Sequence, residues 1–173
     1  MSALLRWLGS TALVAVLVHL ASTWYLPRFI MDRALDGLER QAGGTNTLFQ
    51  APLATAASRA IVRPSPDLLY SICVVDLSRG PVRVRALPSQ PYSSVSVFAA
   101  NSDNVFVMND RYLAPGAAFE VWIARSDQKV PLSAPVAMLR SDRGLVLIRR
   151  VLTDPAQSPA LEALRGQASC KPV

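Results

Sequence analysis

The sequence predicts an all-β sandwich or barrel, held to a membrane by one N-terminal helix and finished by a C-terminal helix. Three observations carry that expectation. Residues Leu8 to Leu26 run for nineteen positions without Asp, Glu, Lys or Arg. From residue 61 onward, short apolar runs of strand length alternate with Pro, Gly, Asn and Asp. After Pro155 the stretch Ala156–Ser169 turns rich in Ala and Leu, with Leu161, Leu164 and Ala168 spaced to pack on a sheet. The 173 residues therefore divide into an anchor (1–30), a helical and linker segment (31–60) and a β-domain with its terminal helix (61–173).

The first element needs length as well as apolarity. At ~1.5 Å per residue, nineteen helical residues reach ~28 Å, close to the ~30 Å of a bilayer's hydrocarbon core. Trp7 stands at one end and Trp24-Tyr25 at the other, where interfacial aromatics belong. Pro27 and Arg28 are expected to stop the helix among the headgroups. A cleaved signal peptide is the rival reading, but it calls for a shorter apolar core and a small-x-small cleavage site. Leu20-Ala21-Ser22 and Ala21-Ser22-Thr23 fit that site poorly, and bulky Trp24-Tyr25 follow. An uncleaved anchor is the better fit.

Orientation is contested within the sequence. Arg6 precedes the span, whereas Arg28, Arg33 and Arg40 follow it, so the positive-inside count puts the large domain in the cytoplasm. Two cysteines behind the span argue for an oxidising compartment instead. On that ground the expected location is the bacterial inner membrane with the β-domain in the periplasm. Inside the span, Ala12, Ala15, His19 and Ser22 recur at steps of three and four and share one face. Small and polar residues on one stripe suit contact with another helix. His19 is the sole histidine; an intramembrane proton or ligand site is the sharper reading, a neutral imidazole bonded to a partner helix or carbonyl the plainer one.

Beyond the span, Met31, Leu35 and Leu38 make a short amphipathic turn or two that Gly43-Gly44 closes. Residues 41–60, rich in Ala, Thr, Gly and Ser, read as a linker. Strands are expected at Leu69–Leu77, Val82–Leu87, Tyr92–Ala99, Val105–Asn109, Phe119–Arg125, Val136–Leu139 and Leu145–Leu152. Val82-Arg83-Val84-Arg85 alternates strictly and marks a half-exposed strand. Leu145-Val146-Leu147-Ile148 is apolar on both faces and marks a central one. In Leu69–Leu77, period two puts Leu69, Ser71, Cys73, Val75 and Leu77 on one face and Tyr70, Ile72, Val74 and Asp76 on the other. Asp76-Leu-Ser-Arg-Gly80-Pro81 then supplies an Asx turn and a glycine for positive φ.

Composition narrows the chemistry. The net charge of +6 comes mainly from arginines spread along the chain, with Lys129 and Lys171 the only lysines. No basic stripe with interleaved aromatics forms, so nucleic acid is not an expected partner. A Ser-His-Asp or Cys-His nucleophile needs an imidazole beside it. His19 lies in the span, so neither arrangement is expected in the β-domain. His- or CxxC-based zinc ligation and a Gly-rich phosphate loop are missing from the sequence too, and no cofactor is expected. Asn101-Ser102-Asp103-Asn104 and Asn109-Asp110-Arg111 offer oxygens but lack the ligand spacing of a calcium loop.

Cys73 and Cys170 form an even pair and suggest a disulfide. It would close a loop of about a hundred residues, worth roughly 4–5 kcal/mol in the chain-entropy model, and would staple the terminal helix to the strand at Leu69–Leu77. One buried thiol and one exposed thiol on a frayed tail is the alternative.

The stretch from Arg63 carries a resemblance. Asp67-Leu-Leu-Tyr70-Ser71, then Asp76-Leu-Ser-Arg-Gly-Pro-Val82, then the aromatic strand at Tyr92 and Asp103-Asn104 resemble the bacterial domain-of-unknown-function family 1254 (DUF1254). Gly144–Arg149, Asp154-Pro155 and Cys170 are similar to the ends of a short, membrane-anchored branch of that family. Longer members tend to carry Asn and Thr around the first Asp, where this chain has Ser65-Pro66-Asp67-Leu68. The resemblance implies an all-β, jelly-roll-like domain in the cell envelope and a partnership with a second membrane protein of the related domain-of-unknown-function family 1214. It implies no established activity. Two functions are therefore open: a binding or assembly module, or an envelope enzyme using Asp, Tyr and Arg groups. Asp67, Tyr70, Asp76 and Arg111 are the candidate polar site for the latter.

Overall fold

The computed structural model describes residues 2–59 and 63–173. It places one long helix, α1 (Ser2–Ala42), ahead of two β-sheets and a short C-terminal helix. The helix is the first departure from expectation. It runs straight through Pro27 and Arg28 for 41 residues, about 60 Å at helical rise, where a stop was expected. The local reason is that its distal turns have something to pack on. Met31, Leu35 and Leu38 are buried with Val74, against Ile72, Phe98 and Leu145 of the sheet. That burial outweighs the one backbone bond a proline removes. The helix ends where the glycines allow it. Gly43 takes φ 75° and the amide of Gly44 donates to the Glu39 carbonyl at 3.0 Å, the bond of a Schellman C-cap.

The strands are β1 (Leu48–Gln50), β2 (Leu68–Asp76), β3 (Val82–Ala86), β4 (Ser93–Ala99), β5 (Asn104–Asn109), β6 (Phe119–Arg125), β7 (Val136–Leu139), β8 (Arg143–Val151) and β9 (Ser169–Pro172). They form a five-stranded sheet, β1-β2-β8-β4-β5, and a four-stranded sheet, β7-β6-β3-β9. All pairs are antiparallel except β6–β7. The architecture is a two-sheet sandwich, as the sequence predicts. All seven expected strands form.

Faces follow the alternation. β8 sits at the centre of its sheet, in keeping with its two apolar faces. β3 alternates buried Val82, Val84 and Ala86 with exposed Arg83 and Arg85. Val75, Val84, Val97, Ile123, Val146 and Ile148 meet between the sheets in the main core. Gly144 is glycine for packing, because a Cβ there would come within 2.6 Å of Leu139 and 2.9 Å of the Phe98 carbonyl.

Three further features depart from expectation or refine it. The segment read as linker contributes β1, an edge strand on β2. The boundary expected at residues 60–61 lies outside the described residues. β2 and β3 do not pair with each other; they enter different sheets, so the turn at Asp76–Pro81 is an arch between layers. At the C-terminus, α2 (Ser158–Gly166) is shorter than the expected helix, and Ser169–Pro172 instead forms β9 on β3. Four residues could take that role because β3 offers an open edge whose backbone groups need partners.

Candidate functional site

The four residues of the expected polar site do not converge. Tyr70 and Asp76 lie near opposite ends of β2, six residues or about 20 Å apart. The Tyr70 hydroxyl accepts from the Ser65 amide at 3.1 Å. Asp76 Oδ1 accepts from the Ser78 amide at 2.9 Å. That bond holds the Asp76 carboxyl below the usual carboxylate range; burial opposes it, and the Arg79 and Arg143 charges reinforce it. It is a turn former, as its setting in the sequence suggests. Asp67 is exposed, and its carbonyl accepts from the Leu152 amide at 2.9 Å. Arg111 is exposed in a 3-10 turn after β5, capped by Asn109.

The oxygens weighed for calcium are engaged locally. Asn101 and Asp103 bond each other, and Asp110 Oδ1 accepts from the Ser93 amide at 3.2 Å. Among the described residues no group of three or more His, Cys, Asp or Glu side chains gathers.

What the fold does bring together is a junction between α1 and the five-stranded sheet. Arg143 at the start of β8 donates to Asp36 at 2.9 Å and to Glu39 at 3.0 Å. Burial lowers the affinity of its guanidinium for the proton, but the two carboxylates outweigh that and raise it. Asn46 follows the helix cap; its Nδ2 donates to the Asp76 carbonyl and its Oδ1 accepts from the Asp76 amide, both at 2.9 Å. At Pro27 the carbonyl accepts from Ser102 Oγ, in the β4–β5 turn, at 3.2 Å. The amphipathic turn is legible in the sequence but its partners are not, because they come from strands 30 or more residues away.

A second cluster lies under α2. Arg165 is 2% exposed, and its guanidinium donates to Gln50, Glu162, the Ala51 carbonyl (2.6 Å) and the Tyr70 carbonyl (2.7 Å). Arg150 is fully buried, yet among the described residues only its Nη2 finds a partner, the Leu87 carbonyl at 3.0 Å, and Nε and Nη1 find none. Burial, then the Arg165 charge, pull its pKa down to about 10, with Glu162 pulling the other way. Even so it is cationic at neutral pH. Neither arginine was legible as buried, because a lone Arg in a helix or strand normally faces water.

The cysteines do meet. Cys73 on β2 and Cys170 on β9 have their sulfurs 2.07 Å apart and their Cα atoms 6.6 Å apart. The bond joins the two sheets through a strand, where the sequence reading had it staple the terminal helix. The helix-face residues Ala12, Ala15 and His19 are exposed on α1, and Ser22 is partly shielded. Among the described residues one helix, from Ala3 to Ala42, is long and apolar enough to cross a membrane by length and composition, and its apolar window is unburied.

The fold and these contacts define a class: a two-sheet β-sandwich clamped to the end of an apolar N-terminal helix. More particularly, residues 45–172 match the model described as protein of unknown function (DUF1254), and the chain belongs to that family. No curated protein matches it. A structural-genomics protein from Vibrio parahaemolyticus shares the fold at TM-score 0.63 and 16% identity, over 90% of this chain and 38% of that one. An uncharacterized protein from Burkholderia cenocepacia is similar at TM-score 0.51 and 19% identity, over 91% and 42%. The chain thus spans about two fifths of the length of these solved relatives.

Proposed function

We propose that this protein is a single-pass, membrane-anchored module of the bacterial cell envelope, with its β-domain on the periplasmic side of the inner membrane. It binds or assembles with a second membrane protein of the domain-of-unknown-function family 1214. The observation that carries the reading is the two-part character of α1. Its apolar window is unburied, which in water would be an aggregation hazard, while its last turns are packed into the domain. A bilayer is the natural cover for the first part. The cysteine pair at bonding distance supports an oxidising compartment. The partner reading draws on the stripe Ala12, Ala15, His19 and Ser22, where a second transmembrane helix can approach closely.

The test is purification from native membranes in mild detergent. A family-1214 membrane protein is expected to copurify in fixed ratio, and to be lost from an Ala12→Leu/Ala15→Leu variant that still inserts. A protein that runs alone from native membranes would refute the assembly reading.

A further inference from the structure

Because α1 does not break at Pro27, the height of the β-domain above the bilayer is set by helix geometry. From Leu26, the last residue of the apolar run, to Met31, the first buried against the sheet, is five residues, about 7 Å of helix. The headgroup layer on one side of a bilayer is roughly 5–8 Å thick, half the difference between the ~40–45 Å total and the ~30 Å core. A flexible tether would leave the domain's distance undefined; this helix does not.

The near end of the domain is the β4–β5 turn, 100–103, because Ser102 Oγ donates to the Pro27 carbonyl. Beyond that contact the helix still exposes apolar side chains, with Phe29 40% and Ile30 58% exposed. Arg28 folds back over the Trp24 ring at 4.4 Å, a cation–π contact with the aromatic at the end of the apolar run. Arg33 lies over Phe29 at 5.2 Å. Val105, the first apolar residue of β5 after the turn, is 39% exposed. Apolar groups interleaved with arginine at one level of the molecule match the chemistry of a bilayer interface.

The geometry points to a lipid-contact surface. The β4–β5 turn from Ala100 to Asp103, with Val105, Phe29, Ile30 and Arg28, rests in the phospholipid headgroup layer, so that the sandwich lies against the membrane. This rests on the reading of α1 as a membrane anchor, and it holds for either orientation.

The test reconstitutes the full chain in nanodiscs of zwitterionic and anionic phospholipid, with a nitroxide attached at one of three introduced cysteines. Leu17→Cys lies mid-span, Ser102→Cys lies in the turn, and Thr153→Cys lies after β8, at the opposite end of the five-stranded sheet. Asp103→Cys is a second turn site should Ser102→Cys misfold, and mass analysis confirms that Cys73 and Cys170 stay paired. The turn label is expected to lose accessibility to a water-soluble nickel relaxant several-fold relative to position 153, and to report a depth at the headgroups. A turn label as accessible as position 153, with position 17 in hydrocarbon, overturns the lipid contact and leaves the anchor standing. A water-accessible label at position 17 overturns both.

Discussion

Arg150 and Arg165 are both buried and belong to one cluster, yet they have opposite energetic characters. Arg165 satisfies two backbone carbonyls, Gln50 and Glu162 at once, tying α2 to β1 and β2. Truncation to Met strands the Ala51 carbonyl, at roughly 1–3 kcal/mol, leaves the Tyr70 carbonyl with only the Ala51 amide, and removes the charge-assisted bonds to Gln50 and Glu162. Arg165→Met is therefore expected to lower unfolding stability by several kcal/mol in urea titration. Among the described residues Arg150 makes one side-chain hydrogen bond and no ion pair with a carboxylate. Arg150→Met loses the bond to Leu87, about 1–3 kcal/mol, but removes an uncompensated buried charge of comparable or greater cost. Its midpoint is expected at or above that of the wild type. A large loss in both variants would show that Arg150 is better compensated than its contacts indicate. Asp76 acts on a smaller scale. Its folded pKa is depressed, so its contribution is present above the unfolded value near 4 and fades as pH falls through the folded value. Asp76→Asn should lower stability modestly at neutral pH, where the carboxylate's contribution is present, and change little below the folded value, so the acid limb of the stability–pH curve flattens.

At the scale of elements, α1 does two jobs along one rod. The residues that decide the second are Met31, Leu35 and Leu38, with Leu35 completely buried. Leu35→Ala removes a core side chain, a change that costs about 2–5 kcal/mol in packed sites. The loss should appear as faster hydrogen exchange over residues 31–42 and at Asn46, while β8 stays protected. Exchange rising equally throughout would mean that helix and sandwich unfold as one unit. The ion pairs from Arg143 are partly exposed and so add modestly, by up to ~1 kcal/mol each. Apolar contact holds the clamp, and charge aligns it.

For the whole molecule, Cys73–Cys170 is the long-range constraint. It spans a sequence separation of 97 and crosses from one sheet to the other. Replacing both cysteines with Ser should cost roughly 4–5 kcal/mol by relaxing the unfolded chain. The loss should be visible as a lower urea midpoint, and in the wild type only after reduction. Equal midpoints with and without reductant would mean that the pair contributes nothing in solution.

Local pattern alone determined a great deal here. Strand positions, the inward face of β2, the centrality of β8, the half-exposed β3 and the glycine-closed end of α1 follow from period, turn chemistry and composition, which act over a few residues. Only the tertiary structure decided whether Pro27 ends the helix, that β1 and β9 exist, that β2 and β3 part into separate layers, and that two arginines lie inside. Each of these depends on a partner distant in the chain. The sheet under Met31 and Leu35 keeps the helix going, the free edges of β2 and β3 recruit three- and four-residue strands too short to show a period, and backbone carbonyls gathered under α2 make burial of Arg165 favourable.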